Sequence, residues 1–196
     1  MKELKKVLNT RIKKNLLPSI YFNKLNQLVM GRGFPWYYLN QTVSYPGVKQ
    51  DDHFMFVHVL YNTTPKTPTS TFFKEFEPIL YFLDYPIKEL LRMKLNLYTN
   101  QNKKIKHVRH TDIYDYDKNR PREKVTLSLF NFVTCNGGTL INKKKYSSNA
   151  NELVIFDNAH KHSGIVQTDT QVRVCLLYAS PSPRDQRGAR VAGWGW

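Results

Sequence analysis

The chain has 196 residues, of which 41% are hydrophobic and 13% aromatic, a composition that excludes a disordered protein and suffices for one globular domain. Its formal net charge of +15 favours anionic partners such as nucleic acid, an acidic protein or a dicarboxylate cosubstrate, although a solvated surface would give the same composition. The two cysteines, Cys135 and Cys175, lack C-x-x-C spacing, which excludes a zinc ribbon or a disulfide-stapled secreted fold.

The first 30 residues are predicted to be helical. In their first half, apolar residues recur at helical spacing with lysines between them, at Leu4, Val7, Leu8, Ile12 and Leu16. This pattern favours an amphipathic helix packed on the body of the protein, with a membrane-surface helix as the alternative. Because no run of about 18 apolar residues and no signal-peptide core is present, we expect a soluble, cytoplasmic protein without a membrane partner.

The next elements are bounded by glycine and proline. Residues 31–35 (GRGFP) break the helical pattern, and residues 53–61 (HFMFVHVLY) predict a strand rich in aromatic and β-branched side chains. Residues 72–83 carry an apolar stripe at helical spacing and follow hydroxyl side chains suited to capping, which predicts a core helix.

From Leu91 the apolar residues recur every second position. The apolar face of the predicted strand comprises Leu91, Met93, Leu95 and Leu97; the opposite face comprises Arg92, Lys94, Asn96 and Tyr98. Such a polar face either lines a cavity or meets solvent at the edge of a sheet.

Further strands are predicted at residues 124–132, 139–141, 152–156 and 173–178, with a tight turn at Asn136-Gly137-Gly138. Short strands with helices confined to the N-terminal half predict a mainly β (α+β) fold, an antiparallel sandwich or barrel covered by helices, which a jelly roll satisfies. We expect one domain over residues 1–180, with helical and strand support over 1–90 and the jelly-roll core over 91–180. Residues 181–196 change in composition and predict a disordered or non-native tail, with packing of Trp194 and Trp196 as the alternative.

Residues 108–117 (VRHTDIYDYD) place a histidine and an aspartate two positions apart. In a strand, His110 and Asp112 project from the same face and can reach one metal ion. The motif is common by chance, so it needs a third ligand: two histidines and one carboxylate leave iron with open coordination positions for oxygen chemistry. Asp115 and Asp117 are assigned to solvation or substrate contact, and His53, His58 and His107 to structural roles, with His107 facing away from His110.

The third ligand is sought in residues 152–178, where a turn between two strands carries His160 and His162, and either side chain satisfies the pattern. The following strand opens with Arg173. A buried arginine there suits a carboxylate because its guanidinium stays charged and has a fixed fork of donors, whereas an arginine on a solvent edge would bind nothing.

These elements, taken in order, resemble the 2-oxoglutarate/Fe(II)-dependent dioxygenase superfamily, on the prolyl 4-hydroxylase-like side that includes phage-borne members. The resemblance spans roughly residues 91–179 and rests on HTD at 110–112, VTLSLFNF, NGGTLI, FDNAHKHSG and QVRVCLLY. It implies a double-stranded β-helix in which His110, Asp112 and a distal histidine hold Fe(II). The family pattern of His-Ser-Gly followed by a basic residue selects His162 for iron and Arg173 for the far carboxylate of 2-oxoglutarate, and it assigns cosubstrate contacts to Tyr98 and Asn96.

The same resemblance implies O2 as a further cosubstrate, with ascorbate as a supporting reductant, and a cytoplasmic location, in a host cell if the gene is phage-borne. It favours peptidyl-prolyl-type hydroxylation. The charge favours nucleic acid instead, as a base to be oxidised or demethylated or as the ligand of a non-catalytic jelly-roll module. The sequence does not choose between a protein, a nucleic acid and a small molecule as substrate.

Overall fold

The structure is a computed structural model that describes residues 10–43, 53–85 and 87–182. It is mostly β. In chain order the strands are β1 (Arg11–Lys13), β2 (Tyr37–Leu39), β3 (Met55–Thr63), β4 (Lys66–Pro68), β5 (Arg92–Thr99), β6 (Tyr114–Asp115), β7 (Arg120–Pro121), β8 (Val125–Asn131), β9 (Cys135–Ile141), β10 (Lys144–Ser148), β11 (Glu152–Asp157), β12 (His162–Ile165) and β13 (Val172–Pro181). The helices are α1 (Ser19–Met30) and α2 (Phe73–Phe76), with a 3-10 helix at Glu77–Phe82.

Two antiparallel sheets face each other. The large sheet has the order β1-β11-β8-β13-β5-β3-β2, with β4 paired to β3, and the small sheet has the order β10-β9-β12. The segment before β6 extends the small sheet through isolated bridges from Lys106 to Ile165 and from His110 to His162. Strands β6 and β7 form a separate hairpin. This arrangement agrees with the predicted jelly roll.

Strand β13 is buried on both faces, which explains its nearly continuous apolar sequence. One face, including Leu176, joins the core beneath the helices, where Leu25 of α1 and Phe76 of α2 also lie. The other face, including Leu177, joins a second core between the sheets, which Ile141 of β9 also enters. Burial of each such side chain contributes about 1.5–3 kcal/mol, so the strand ties the helical layer to both sheets.

The strands predicted at residues 53–61, 91–98, 124–132, 152–156 and 173–178 are all present. The predicted helix over 72–83 is divided into α2 and the 3-10 helix, because Pro78 at the start of the latter has no N–H to continue the α-helical ladder. Among the described residues, no helix has the length and apolarity needed to cross a membrane.

The prediction of one continuous helix over the first 30 residues is wrong. Residues 11–13 form β1, in which Ile12 pairs with Val154 of β11, and helix α1 starts only after Pro18. Proline restricts the residue before it to extended conformations, so it favours the start of a helix rather than its interior. The preceding Leu16 is nevertheless buried in the helix-side core. The first nine residues of the predicted helix lie outside the described residues.

The prediction of a tight turn at Gly137 and Gly138 is also wrong, because both residues lie inside β9. The hairpin between β9 and β10 turns at Asn142 instead. Asn142 has a φ of 54°, a left-handed conformation that asparagine tolerates in short hairpin loops. A Cβ on Gly138 would collide with the carbonyl oxygen of Tyr146 on β10. Glycine is needed here for close strand approach.

The single domain and the tail remain predictions. Of residues 181–196 the structure describes Pro181, which ends β13, and Ser182, whose N–H donates to the carbonyl oxygen of Lys124 at 2.7 Å.

The glycine contacts generate a test of the β9–β10 packing. We expect Gly138→Ala to lower the free energy of unfolding by about 2 kcal/mol or more, since its φ of 155° and the Tyr146 contact both oppose a side chain. The matched control is Gly33→Ala, because no atom lies within 4 Å of a Cβ built there. Urea denaturation measures the stability of both variants. Equal unfolding midpoints for Gly138→Ala and Gly33→Ala would contradict the close packing of Gly138 against Tyr146.

Candidate metal centre

Backbone pairing between the segment before β6 and strand β12 positions two histidines opposite each other. His110 and His162 exchange backbone N–H···O=C hydrogen bonds, each of 2.9 Å, across an antiparallel bridge. Their rings therefore lie side by side, with centroids 4.5 Å apart. Asp112 follows His110 by two residues. One ligand atom from each of His110, Asp112 and His162 lies within 4.8 Å of the others, so this set could hold a metal ion.

The hydrogen bonds around the three side chains orient their donor atoms. The Nδ1–H of His110 donates to the carbonyl oxygen of Val108 at 3.0 Å, and because a carbonyl only accepts, this bond leaves the lone pair of Nε2 for a ligand role. The Nε2 of His162 lies 2.8 Å from Oδ2 of Asp112. The three groups are thus held together before any cation is added.

Burial and neighbouring charges set the ionisation of the centre. Burial, followed by repulsion from His162, lowers the pKa of His110 to about 4. For Asp112, burial raises the pKa, but attraction from His162, a hydrogen bond to it and the charge of Lys94 together lower the pKa below its usual range. A neutral imidazole and an ionised carboxylate are the forms that bind metal, so protons compete little with a metal ion for His110 and Asp112 at neutral pH.

Lys94 is a site residue that sequence reasoning missed. Its Nζ lies 4.0 Å from Oδ1 of Asp112, and the two side chains are only 12% and 6% exposed. Burial, together with repulsion from Arg92, lowers the pKa of Lys94 to about 8. The period of two places Lys94 on the polar face of the predicted strand, but no local signal in the sequence distinguishes it from a solvent-facing lysine.

A cavity of about 30 Å³ lies beside the three ligands. Two paired strands supply one wall: β5 contributes Asn96 and Tyr98, and β13 contributes Arg173 and Cys175. Asn96 is buried, and Tyr98 pairs directly with Arg173. The polar face predicted for residues 92–98 therefore lines a cavity rather than meeting solvent.

Arg173 is 1% exposed at the bottom of this cavity. Its Nη2 donates to Oγ1 of Thr139 on the small sheet at 3.0 Å, and its guanidinium carbon lies 5.2 Å from the centroid of the Tyr98 ring. Its Nε is buried without a hydrogen-bond partner, and within the described ranges no carboxylate pairs with the guanidinium. A buried cation without a counter-ion is costly, so an anion that entered this cavity would offset the cost of burying Arg173.

The structure brings His162, not His160, into the cluster. His160 lies in the turn after β11, where its backbone N–H donates to the carbonyl oxygen of Asp157 at 2.9 Å. Asp115 and Asp117 are outside the cluster as well, and Asp115 forms an ion pair of 3.2 Å with Lys118.

His107 was predicted to face away from His110, yet it lines the same cavity, with its ring centroid 5.2 Å from that of Tyr98. The bridges at Lys106 and His110 enclose one more residue than the facing residues of β12, which breaks the strict alternation of side chains. Gly164 leaves room for the ring, since a Cβ there would lie 2.9 Å from Nδ1 of His107.

Comparison with solved structures identifies the fold. An oxidoreductase of the 2OG-Fe(II) oxygenase family from Burkholderia pseudomallei is 12% identical, with a TM-score of 0.58 over 89% of this chain and 88% of that chain. A prolyl hydroxylase from Trichoplax adhaerens, solved with a peptide of hypoxia inducible factor, is 11% identical, with a TM-score of 0.57 over 92% and 87%. HygX from Streptomyces hygroscopicus, solved with nickel, 2-oxoglutarate and hygromycin B, is 7% identical, with a TM-score of 0.53 over 88% and 82%.

In sequence, no family model and no curated protein matches the chain. At these identities the structural likeness shows the fold alone, which is the jelly-roll fold of 2OG-Fe(II) oxygenases.

The two histidines near the cluster provide a direct test of the metal set. We expect His162→Ala to weaken Mn(II) or Co(II) binding by more than about 100-fold, since even loss of a group that only orients a ligand costs about 10–100-fold. His160→Ala is the matched control and should bind as the unmodified chain does. Calorimetric titration and the visible spectrum of bound Co(II) measure both; the reverse order of effects would refute this ligand set.

Proposed function

We propose that this chain is an Fe(II)- and 2-oxoglutarate-dependent dioxygenase, with His110, Asp112 and His162 as the iron ligands and Arg173 as the anchor of the cosubstrate. The observation that carries the proposal is the buried guanidinium of Arg173, which has no carboxylate partner among the described residues and lines the same cavity as the three ligands. The shared fold supports it independently.

The donor set fits ferrous iron. Two imidazoles and one carboxylate on one side of the ion are typical of iron sites that keep positions open for oxygen chemistry. When bound, Fe(II) would supply the activation of O2 that 2-oxoglutarate oxidation drives. The residues of the chain hold the ligands in place: the pairing of His110 with β12 fixes both rings, and the Val108 carbonyl fixes the tautomer of His110.

The polar lining of the cavity also suits one carboxylate of the cosubstrate. A carboxylate seated against Arg173 would accept hydrogen bonds from a guanidinium that Thr139 and Tyr98 already orient. Asn96 and Tyr98 line the same cavity as Arg173, where they would contact the rest of the molecule. The buried charge would then be compensated on binding.

Apolar side chains complete the walls of the cavity and exclude water. Three of these side chains, Leu129, Phe156 and Leu177, also belong to the core between the two sheets. In such surroundings the attraction between a guanidinium and a carboxylate is stronger than in water. The same walls would protect the reaction from solvent.

For the substrate, the likeness to the Trichoplax prolyl hydroxylase supports peptidyl-prolyl-type hydroxylation, as the sequence resemblance also implied. The net charge of +15 favours the second candidate, oxidation or demethylation of nucleic-acid bases. HygX has the same fold and was solved with hygromycin B bound, so a small molecule is a further candidate substrate.

The activity is tested by succinate formation from 2-oxoglutarate in the presence of Fe(II), O2 and ascorbate, first without a substrate and then with host lysate. Metal binding without succinate in either assay would support a non-catalytic jelly-roll module instead. DNA or RNA binding that falls steeply with salt and ignores chelators would support the nucleic-acid-binding alternative.

Arg173→Met tests the anchor. We expect it to raise the KM for 2-oxoglutarate by about 10–100-fold, since hydrogen bonds to a charged group contribute about 1.5–3 kcal/mol, while Mn(II) affinity is unchanged. Without 2-oxoglutarate the variant should unfold at the same or a higher urea concentration than the unmodified chain, because the substitution removes a buried unpaired charge. Arg173→Lys, which keeps the charge but not the fork, should fall between. An unchanged KM would refute the assignment.

A further inference from the structure

A second, larger cavity of about 270 Å³ lies on the outer side of the candidate metal centre. It shares His110, Asp112 and Lys94 with the inner cavity. Its lining includes residues 39–43, which begin at the last residue of β2, and Tyr114 and Tyr116 of the β6–β7 hairpin. Arg173 lines the inner cavity and not the outer one, so a molecule in the outer cavity would approach the proposed ligands without occupying the site beside Arg173.

The charges that line the outer cavity are unbalanced. Arg92 and Lys94 occupy alternate positions of β5, so both project from the face that lines the cavities. Asp112 is the one carboxylate among the described lining residues, and it is 4.0 Å from Lys94. The Nε of Arg92 is buried and has no hydrogen-bond partner within the part of the chain that the structure describes.

Loading of the proposed metal and cosubstrate would not remove this excess. The charge of a divalent cation, the carboxylate of Asp112, the dianionic cosubstrate and the guanidinium of Arg173 cancel one another. Arg92 and Lys94 then face the outer cavity, and no second carboxylate among its described lining residues balances their charge. If Lys94 served only to neutralise Asp112, Arg92 would still meet no carboxylate among those lining residues.

We propose that the outer cavity is a substrate subsite for an oxyanion, a phosphate or a carboxylate, held by Arg92 and Lys94. The inference rests on the proposed function, and it defines the substrate class: the carbon to be oxidised lies near a negatively charged group. Lys94 is next to the ligands and Arg92 is about 7 Å further along the strand, so the anion would sit outward of the centre and direct the neighbouring carbon towards it.

The test uses the full chain loaded with Zn(II) and saturating 2-oxoglutarate, so that Arg173 is already occupied, and inorganic phosphate and acetate as separate probes. We expect both probes to shift the backbone amide NMR signals of residues that line the outer cavity. In Arg92→Gln and in Lys94→Gln the Kd should rise about tenfold or more, as loss of a charge-assisted contact implies. Arg11→Gln is the matched control, because Arg11 is exposed on β1 at the opposite edge of the large sheet, and it should not change the Kd.

The two probes separate the sources of the anion: a lower Kd for phosphate points to a phosphorylated substrate, and a lower Kd for acetate points to a carboxylic acid. Equal Kd values in all variants, or shifts confined to residues outside the cavity, would overturn the subsite. If Zn(II) or 2-oxoglutarate fails to bind, the proposed function fails, and the same titrations on the metal-free chain still decide whether Arg92 and Lys94 bind anions.

Discussion

The candidate centre depends on one short antiparallel bridge. His110 and His162 are 52 positions apart in the chain, yet their exchanged backbone hydrogen bonds, each of 2.9 Å, fix the two rings side by side. Asp112 then reaches His162 because it follows His110 by two residues. The small sheet holds β12 through its pairing with β9, so the position of the three ligand atoms follows from backbone pairing rather than from side-chain flexibility.

Strand β13 connects that bridge to the rest of the molecule. Its alternate residues enter two different cores, which leaves it no freedom to rotate or slide. Arg173 lies at the start of this strand, opposite Tyr98 on β5, and reaches Thr139 of the facing sheet. A rigid, doubly buried strand holds this guanidinium in the interior with no carboxylate partner among the described residues, the position that the proposed anchor of an anionic ligand requires.

Side chains on the polar face of β5 line both cavities. Tyr98 and Asn96 line the inner cavity, Lys94 borders both, and Arg92 lines the outer one. Position along a single strand thus corresponds to distance from the buried arginine towards the surface. Cationic side chains lie at both ends of β5, with the carboxylate of Asp112 between them, an arrangement compatible with the proposed iron site, its proposed cosubstrate beside Arg173 and the proposed anionic substrate beside Arg92.

The sequence by itself determined the longer strands, the polar face of β5 and the pairing of His110 with Asp112, because these follow from periods of two and from a motif with local spacing. The selection of His162 and Arg173 came from the resemblance to a family and not from local spacing. It did not determine β1, which forms only because β11 offers it an edge, or the need for Gly138, which arises from the approach of Tyr146. Register and sheet-to-sheet contact decided which histidine completes the cluster, brought His107 into the cavity through one extra residue, and buried Lys94 beside Asp112. Such contacts join residues that are distant in sequence, so local sequence patterns do not predict them.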